Sequence, residues 1–272
     1  MEKKIRYFTL PNILTLFNLI SGSFAIYFAF ESEYEKLYYA SYFIFIACVF
    51  DMLDGAVARM TNSVSDIGKH LDSLADLVSF GVAPAVIIYQ MIKSSMEINT
   101  FSIDLPLTDI LILFSPILLV VAGALRLAKF NVDSRQKDYF LGLPIPASAI
   151  FFASLPLVNV FDPSNLILYN ILTDDLPFEL ILAVLGLQVY ILTDVWFYLI
   201  AIFFFVVMQL INIPIFSIKF KGFSFKENSI RYIFLIFALL FFALFQSFSL
   251  PLIIVFYILF ALFADMMKLF RK

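Results

Sequence analysis

Apolar runs long enough to cross a membrane recur along this 272-residue chain, separated by short polar segments. A membrane-spanning helix needs about 20 apolar residues, and eight runs meet or approach that length. We predict helices at about 10–30, 37–58, 68–92, 107–128, 144–161, 195–217, 230–247 and 250–267. The pattern therefore predicts an all-α, polytopic membrane helical bundle with about eight transmembrane helices.

The composition excludes two simpler classes of protein. The chain is 62% hydrophobic and 14% charged and contains 35 Phe, which is too apolar for a soluble domain. It is also far too long for a single membrane span. Because Cys48 is the only cysteine, no disulfide forms within the chain.

Basic residues favour one arrangement of the helices across the membrane. If eight helices cross and both termini lie inside, all of the 18 Lys and Arg residues except Lys36 and Lys93 fall on the inner side. Cytoplasmic loops carry such an excess. A ninth crossing by the apolar run 176–192 would move the last two basic clusters to the outer side, so we predict that this run lies at the outer surface or re-enters the membrane.

The stretch 51–76, DMLDGAVARMTNSVSDIGKHLDSLAD, carries four aspartates in otherwise apolar surroundings. Ionised side chains at membrane depth are costly and usually functional. At about 100° per residue, two helical faces each collect a set of these positions. The first set is Asp51, Asp54, Gly55, Ala58 and Arg59, and the second is Gly68, Asp72 and Asp76. A short link would make the two helices antiparallel neighbours whose faces meet.

Four carboxylates cannot converge and all stay ionised unaided. Two of them about 4 Å apart repel by about 4 kcal/mol at an effective dielectric constant of ~20. Oxygen-only ligands favour a hard cation such as Mg²⁺, Mn²⁺ or Ca²⁺. The alternative is that the four are helix-end aspartates solvated at the membrane interface.

The first helix carries a polar stripe of Asn12, Thr15, Asn18 and Gly22. One interpretation is helix–helix packing through small and polar groups. The other is that the stripe forms a wall of the polar site and contacts a nucleotide or phosphates.

The aspartate stretch resembles the signature of the CDP-alcohol phosphatidyltransferases, D-x2-D-G-x2-A-R-x8-G-x3-D-x3-D, at every fixed position. Four further segments are similar to the membrane-integral phosphatidylserine synthases of that family: PNILTLFNLISG (11–22), LDSLADLVSFGVAPA (71–85), LRLAKFN (125–131) and GLPIPASA (142–149). The similarity covers about residues 10–218. It predicts a six-helix core in 1–218 and two additional transmembrane helices in 219–272.

The resemblance implies a reaction in which the hydroxyl of L-serine attacks the lipid-side phosphorus of CDP-diacylglycerol, or of a CDP-archaeol-like lipid, and CMP leaves. Two divalent ions, Mg²⁺ or Mn²⁺ with Ca²⁺ as a further option, would be held by Asp51, Asp54, Asp72 and Asp76. Asp76 would also be the general base. The nucleotide and its phosphates would contact Thr15, Asn18, Gly55, Ala58, Arg59 and Gly68.

A serine pocket is expected near the end of the fourth helix, because the carboxylate of serine requires a cation. The candidates are Arg126, Lys129, Asn131 and Ser79. Lys129 departs from the arginine common in the family, which keeps the charge but loses the bidentate fork. The alternative is that Arg126 and Lys129 only anchor a helix end by snorkelling.

Two other functions stay open. Another member of the family would use glycerol phosphate or inositol phosphate as acceptor, and a phosphorylated acceptor would favour a denser basic cluster. A cation transporter with intramembrane aspartates is the second, although no internal repeat is visible. We expect a homodimer in the lipid bilayer of the cell (cytoplasmic) membrane, with both termini and the active site on the cytoplasmic side, and no nucleic-acid partner.

Overall fold

A computed structural model describes residues 8–31, 33, 36–61, 63, 65–133, 139–160, 194–216, 225–246 and 249–266. The apolar run 176–192 lies outside these ranges, so the prediction that it does not cross the membrane stays a prediction.

The described chain is almost entirely helical. The helices are α1 (Leu10–Glu31), α2 (Tyr38–Met60), α3 (Asp66–Asp76), a π-helical segment (Leu77–Val82), α4 (Ala83–Ser95), α5 (Leu107–Phe114), α6 (Ile117–Val132), α7 (Ile145–Val160), α8 (Val195–Leu210), α9 (Phe225–Phe245) and α10 (Ser249–Met266). Two short strands, β1 (Tyr139–Leu141) and β2 (Pro214–Phe216), complete the elements. All eight predicted helical regions are thus helical, which confirms the all-α class.

Three helical stretches among the described residues are long and apolar enough to cross a membrane: Leu10–Glu31, Tyr38–Met60 and Asp66–Ser95. The bent pair α5 and α6 makes a fourth if it is one span. The remaining apolar helices within α7 to α10 are shorter. The membrane bundle is therefore confirmed, while the count of eight spans stays a prediction.

Prolines explain two differences from the predicted helix bounds. The fourth predicted helix is broken between α5 and α6 by a 40° bend at Ser115 and Pro116, because proline cannot donate the helical hydrogen bond. The sixth was predicted to run to residue 217 but ends at Leu210. Pro214 disfavours helical backbone at the preceding residue, and the chain continues as β2.

The two strands hold the segment that precedes α7 against the segment that follows α8. They pair antiparallel, with Leu141 opposite Pro214. Gly142 follows β1 with φ +80° and donates its N–H to the carbonyl of Ile213 at 2.9 Å. A Cβ at Gly142 would lie 2.6 Å from the carbonyl oxygen of Gln209, so the segment needs glycine both for its backbone conformation and for the close approach.

Helix α1 is the element that brings the polar regions together. It packs along α2 and also contacts α3, the π-helical segment and α4. Its buried side holds the whole predicted polar stripe, Asn12, Thr15, Asn18 and Gly22. Its outward side is apolar, with Phe24, Tyr27 and Phe30 all about half exposed or more, as expected of a surface in contact with lipid.

Candidate active site

Three of the four aspartates form a cluster between α2 and α3. Asp51, Asp72 and Asp76 each offer a carboxylate oxygen, and these oxygens lie within 4.8 Å of one another. Asp51 comes from α2, whereas Asp72 and Asp76 lie one turn apart on α3. The predicted convergence of the two helical faces is therefore present.

The local sequence explains how α3 presents its aspartates. Ser65 is extended, and its Oγ accepts a hydrogen bond from the N–H of Gly68 at 3.1 Å. This is an N-terminal cap, so the helix begins at Asp66, two residues earlier than predicted. Starting from this cap, Asp72 and Asp76 fall on the same side of α3.

The cluster has the dimensions of a divalent cation site. Ligand oxygens on one cation are separated by at most about twice the metal–oxygen distance, roughly 4–5 Å for Mg²⁺ or Ca²⁺. Without a cation, each ionised pair within 4.8 Å repels by at least about 3.5 kcal/mol at an effective dielectric constant of ~20. The donor set therefore fits a hard divalent ion.

Asp54 lies beside this cluster and not within its group of mutually close oxygens. It is 5% exposed, and Thr15 Oγ1 lies 2.6 Å from its Oδ2. The hydroxyl also lies 3.1 Å from the carbonyl of Pro11. Thr15, predicted to contact the nucleotide, thus also holds a predicted metal ligand.

A cavity of about 230 Å³ opens next to Asp54 and Asp72. Five of the six residues predicted to contact the nucleotide and its phosphates line it: Thr15, Gly55, Ala58, Arg59 and Gly68. The cavity is also lined by Asn12, a member of the α1 stripe, and by four residues not predicted for this role: Pro11, Ser63, Ser65 and Lys69. Arg59 and Lys69 bring two positive charges to a cavity that Asp54 and Asp72 also line, so phosphates paired with these cations would lie next to the carboxylates.

Gly68 has a steric reason to be glycine. A Cβ at this position would lie 2.9 Å from Asn12 Oδ1 and 3.0 Å from Ser65 Oγ. A larger residue would displace the Asn12 side chain and the Ser65 hydroxyl that caps α3. The cavity wall formed by Asn12 therefore depends on Gly68.

Asn18 does not line the cavity but contacts the carboxylate cluster. It is fully buried, and its Nδ2 donates to Asp76 Oδ1 at 3.2 Å. Helix α1 therefore contacts Asp54 through Thr15 and Asp76 through Asn18.

The residues predicted to bind serine separate into two places. Arg126 is buried on α6, and its positive charge attracts the carboxylate of Asp76. Ser79 is also buried, and its hydroxyl donates to the backbone carbonyl of Asn18 at 3.0 Å. These two residues lie on the Asp76 side of the site.

Lys129 and Asn131 instead connect the end of α6 to neighbouring elements. Lys129 Nζ donates to the side-chain oxygen of Asn212, which follows α8. Asn131 Nδ2 donates to Ser73 Oγ at 2.8 Å, and Lys69 Nζ donates to the Asn131 carbonyl at 2.7 Å. Their hydrogen bonds tie α6 to α3 and to the end of α8.

Residues 8–207 match the sequence model of the CDP-alcohol phosphatidyltransferase family. The chain belongs to the CDP-alcohol phosphatidyltransferases. The match includes α1 to α7, the carboxylate cluster and the cavity, and it ends within α8. Helices α9 and α10 lie beyond the matched residues.

Curated relatives of this CDP-alcohol phosphatidyltransferase carry names that specify serine. The chain is 37% identical over 163 residues to an archaetidylserine synthase of Methanothermobacter thermautotrophicus, a stretch that covers 59% of this chain and 63% of the relative. It is 36% identical over 154 residues to a CDP-diacylglycerol–serine O-phosphatidyltransferase of Methanocaldococcus jannaschii, covering 56% and 63%. A protein of the same name from Bacillus subtilis is 37% identical over 172 residues, covering 63% and 86%.

Some residues of the site were missed by sequence reasoning, although signals for them existed. The Ser65 cap is recognisable from a serine directly before Asp66, whereas Asn12 was already part of the α1 stripe that one interpretation made a wall of the site. Lys69 lies beside the motif residue Gly68. Its place in the cavity wall follows from where the cap starts the helix, which the motif spacing alone does not specify.

Proposed function

We propose that this CDP-alcohol phosphatidyltransferase transfers the phosphatidyl group of CDP-diacylglycerol, or of an archaeol-based analogue, to L-serine and releases CMP. The observation that carries the proposal is the meeting of Asp51, Asp72 and Asp76 oxygens within 4.8 Å beside a cavity with Arg59 and Lys69. The names of the curated relatives support serine as the acceptor.

The cavity is proposed to receive the CDP part of the lipid substrate. Arg59 and Lys69 would pair with its phosphates, and Thr15, Gly55, Ala58 and Gly68 would form the walls. The lipid tails then extend toward the apolar surroundings of the bundle. Diacyl and isoprenoid tails are both consistent with the relatives' names.

The carboxylate cluster is proposed to hold two divalent ions, Mg²⁺ or Mn²⁺, with Asp51, Asp72 and Asp76 as ligands and Asp54 completing the set from the cavity side. When bound, the ions would neutralise the pyrophosphate charge and stabilise the leaving phosphate. Thr15 keeps Asp54 oriented through its 2.6 Å hydrogen bond.

Asp76 is proposed as the general base. The serine hydroxyl gives its proton to the Asp76 carboxylate, its oxygen forms a bond to the lipid-side phosphorus, and the bond from that phosphorus to CMP breaks with the electron pair leaving on CMP. Arg126 interacts electrostatically with Asp76 and is proposed to pair with the serine carboxylate. Ser79, Lys129 and Asn131 would support this pocket, the last two by holding the end of α6 in place.

The reaction is proposed to take place at the cytoplasmic side of the cell membrane, in a homodimer with both termini inside. The positive-inside distribution of Lys and Arg supports this orientation.

One assay tests the proposed function. Purified full-length protein is supplied with CDP-diacylglycerol, Mg²⁺ or Mn²⁺, and in turn L-serine, glycerol 3-phosphate or inositol 1-phosphate, and CMP release is measured. Serine-dependent release is expected. Release that requires a phosphorylated acceptor would overturn the choice of serine, and full activity in excess EDTA would overturn the metal requirement.

A further inference from the structure

The side-chain oxygen of Asn18, Oδ1, neither lines the cavity nor contacts the carboxylate cluster. The Asn18 side chain is fully buried, and its Nδ2 donates to Asp76 Oδ1 at 3.2 Å. Its Oδ1 is also buried and accepts no hydrogen bond from the residues that the structure describes. Leaving a buried carbonyl oxygen unpaired costs free energy. A ligand with a hydrogen-bond donor could therefore bind favourably at Asn18 Oδ1.

The orientation of the Asn18 amide follows from its neighbour. As a general base Asp76 must be ionised, and an ionised carboxylate only accepts hydrogen bonds, so in the reactive state the amide nitrogen faces Asp76 and the amide oxygen points elsewhere. The backbone carbonyl of Asn18 is already occupied by the Ser79 hydroxyl at 3.0 Å. The side-chain oxygen is therefore held next to the proposed general base.

The chemistry of serine matches this pair of groups. Serine carries its hydroxyl and its ammonium on adjacent carbons, while Asn18 carries the nitrogen that binds Asp76 and the unpaired oxygen on one carbon. Because the Asn18 amide is bound to Asp76 at 3.2 Å, a serine whose hydroxyl reaches Asp76 would place its ammonium toward the same amide. The buried Arg126, which interacts electrostatically with Asp76, is then available to the carboxylate.

We propose that Asn18 is a specificity-determining residue that selects an acceptor bearing an ammonium group next to its hydroxyl, by accepting a hydrogen bond at Oδ1. This inference rests on the proposed serine transfer and deepens it. Asn18 was predicted to contact the nucleotide, and the present proposal assigns it to the acceptor.

The experiment compares two acceptors that differ only in the ammonium group. Full-length protein in lipid nanodiscs is given CDP-diacylglycerol, Mn²⁺ and either L-serine or 3-hydroxypropionate, and kcat/KM is obtained from CMP release. If turnover of 3-hydroxypropionate is too slow to follow, its inhibition constant against serine transfer is used instead. The variants are Asn18→Leu, which keeps the branched shape with two bulkier methyl groups, and Asn18→Ala, which removes the same polar groups with less steric risk.

We expect the wild-type preference for serine over 3-hydroxypropionate to fall roughly 10- to 100-fold in both Asn18 variants, the effect of losing a hydrogen bond to a charged group. The matched control is Ser21→Ala, one turn further along α1, where the hydroxyl donates to the Phe17 carbonyl at 2.8 Å. This variant should keep the preference.

Two results overturn the role of Asn18. One is an equal loss of rate with both acceptors and an unchanged preference, which means that Asn18 only orients Asp76. The other is a loss of preference in Ser21→Ala as large as in the Asn18 variants. If wild-type protein releases no CMP in response to serine, the proposed function itself fails, so the two failures are distinguishable.

Discussion

Replacing Asp72 by Asn should have opposite effects on stability with and without a divalent ion. Without metal, the substitution removes one of three mutually repelling carboxylates. With metal, it removes a charged ligand. We therefore expect Asp72→Asn to unfold at a higher temperature than wild type in EDTA and at a lower temperature in saturating Mg²⁺ or Mn²⁺.

The size of the effect follows from the geometry of the cluster. The ligand oxygens of Asp51, Asp72 and Asp76 are at most 4.8 Å apart, so each ionised pair repels by about 3.5 kcal/mol or more at an effective dielectric constant of ~20. Asp72→Asn removes two of the three pairs, about 7 kcal/mol in full. Without metal the cluster takes up a proton to relieve part of this repulsion, and screening at the partly exposed Asp51 and Asp72 reduces it further, so we expect roughly 1–3 kcal/mol of stabilisation in EDTA.

The metal reverses the order because it binds the folded protein. A ligand at 1,000 times its dissociation constant stabilises the folded state by about 4.1 kcal/mol, which exceeds the stabilisation expected from removing the repulsion. Wild-type protein should gain this amount, whereas Asp72→Asn binds the ion more weakly and gains less.

The assay is thermal unfolding of the full-length protein in detergent, followed by circular dichroism, in EDTA and over a metal titration. Asp66→Asn is the matched control because it makes the same charge change on α3 at an exposed position outside the cluster. Equal responses of the two variants to EDTA and metal, or a wild-type unfolding temperature that does not change with metal, would refute the reasoning.

Three further predictions concern activity and folding. Asp76→Asn should lose about 10²- to 10⁴-fold in kcat even at saturating metal, as measured by CMP release; recovery by excess metal would make Asp76 a ligand only. Arg126→Gln should raise the KM for serine roughly tenfold or more, as expected for a lost charge-assisted hydrogen bond, with the KM for CDP-diacylglycerol unchanged; equal changes in both would contradict a role in the serine pocket. Gly142→Ala should lower the free energy of unfolding by about 1–3 kcal/mol. Gly123→Ala is the control and should cost less, because its Cβ would have no neighbour closer than 3.5 Å. Equal unfolding temperatures of the two variants would argue against strain at Gly142.

The carboxylate cluster could be predicted from the sequence because helical periodicity alone decides which aspartates share a face. Residues one turn apart on α3 point the same way whatever the helix packs against. The short link between α2 and α3 then brings Asp51 to the same place. Motif spacing and helix geometry were enough for these three side chains, but the same periodicity also grouped Asp54 with them, and Asp54 lies beside the cluster.

The sequence could not predict in the same way which carboxylate each polar residue of α1 contacts. Asn12, Thr15 and Asn18 form one stripe in the sequence, but the stripe lies across two environments. Thr15 contacts Asp54 at the cavity, whereas Asn18 contacts Asp76. Which polar residue meets which carboxylate depends on how α1 crosses α2 and α3, and periodicity does not contain that information.

Arg126 and Lys129 were predicted to bind serine because of their charge, but charge does not specify which residues the end of a long side chain contacts. Arg126 and Lys129 lie close in sequence on α6. Arg126 is buried on the Asp76 side, whereas Lys129 reaches Asn212 beyond the end of α8. Lys129 can contact Asn212 because α8 ends before Pro214. The sequence predicted a helix that continued to residue 217, so this contact could not be foreseen.

The π-helical segment Leu77–Val82 explains how a polar site can continue directly into a membrane-embedded helix. It begins immediately after Asp76, and because a π-helix holds more residues per turn it rotates the side chains that follow it. Ser79 consequently faces the α1 backbone at Asn18, not the carboxylates. Beyond the segment, α4 buries an apolar face that includes Ile87, Ile88 and Met91. The change of register thus lets one end of the continuous helix present its carboxylates to the site while the other end packs its apolar side chains in the core. The backbone hydrogen bonds continue through the segment, as is required at membrane depth.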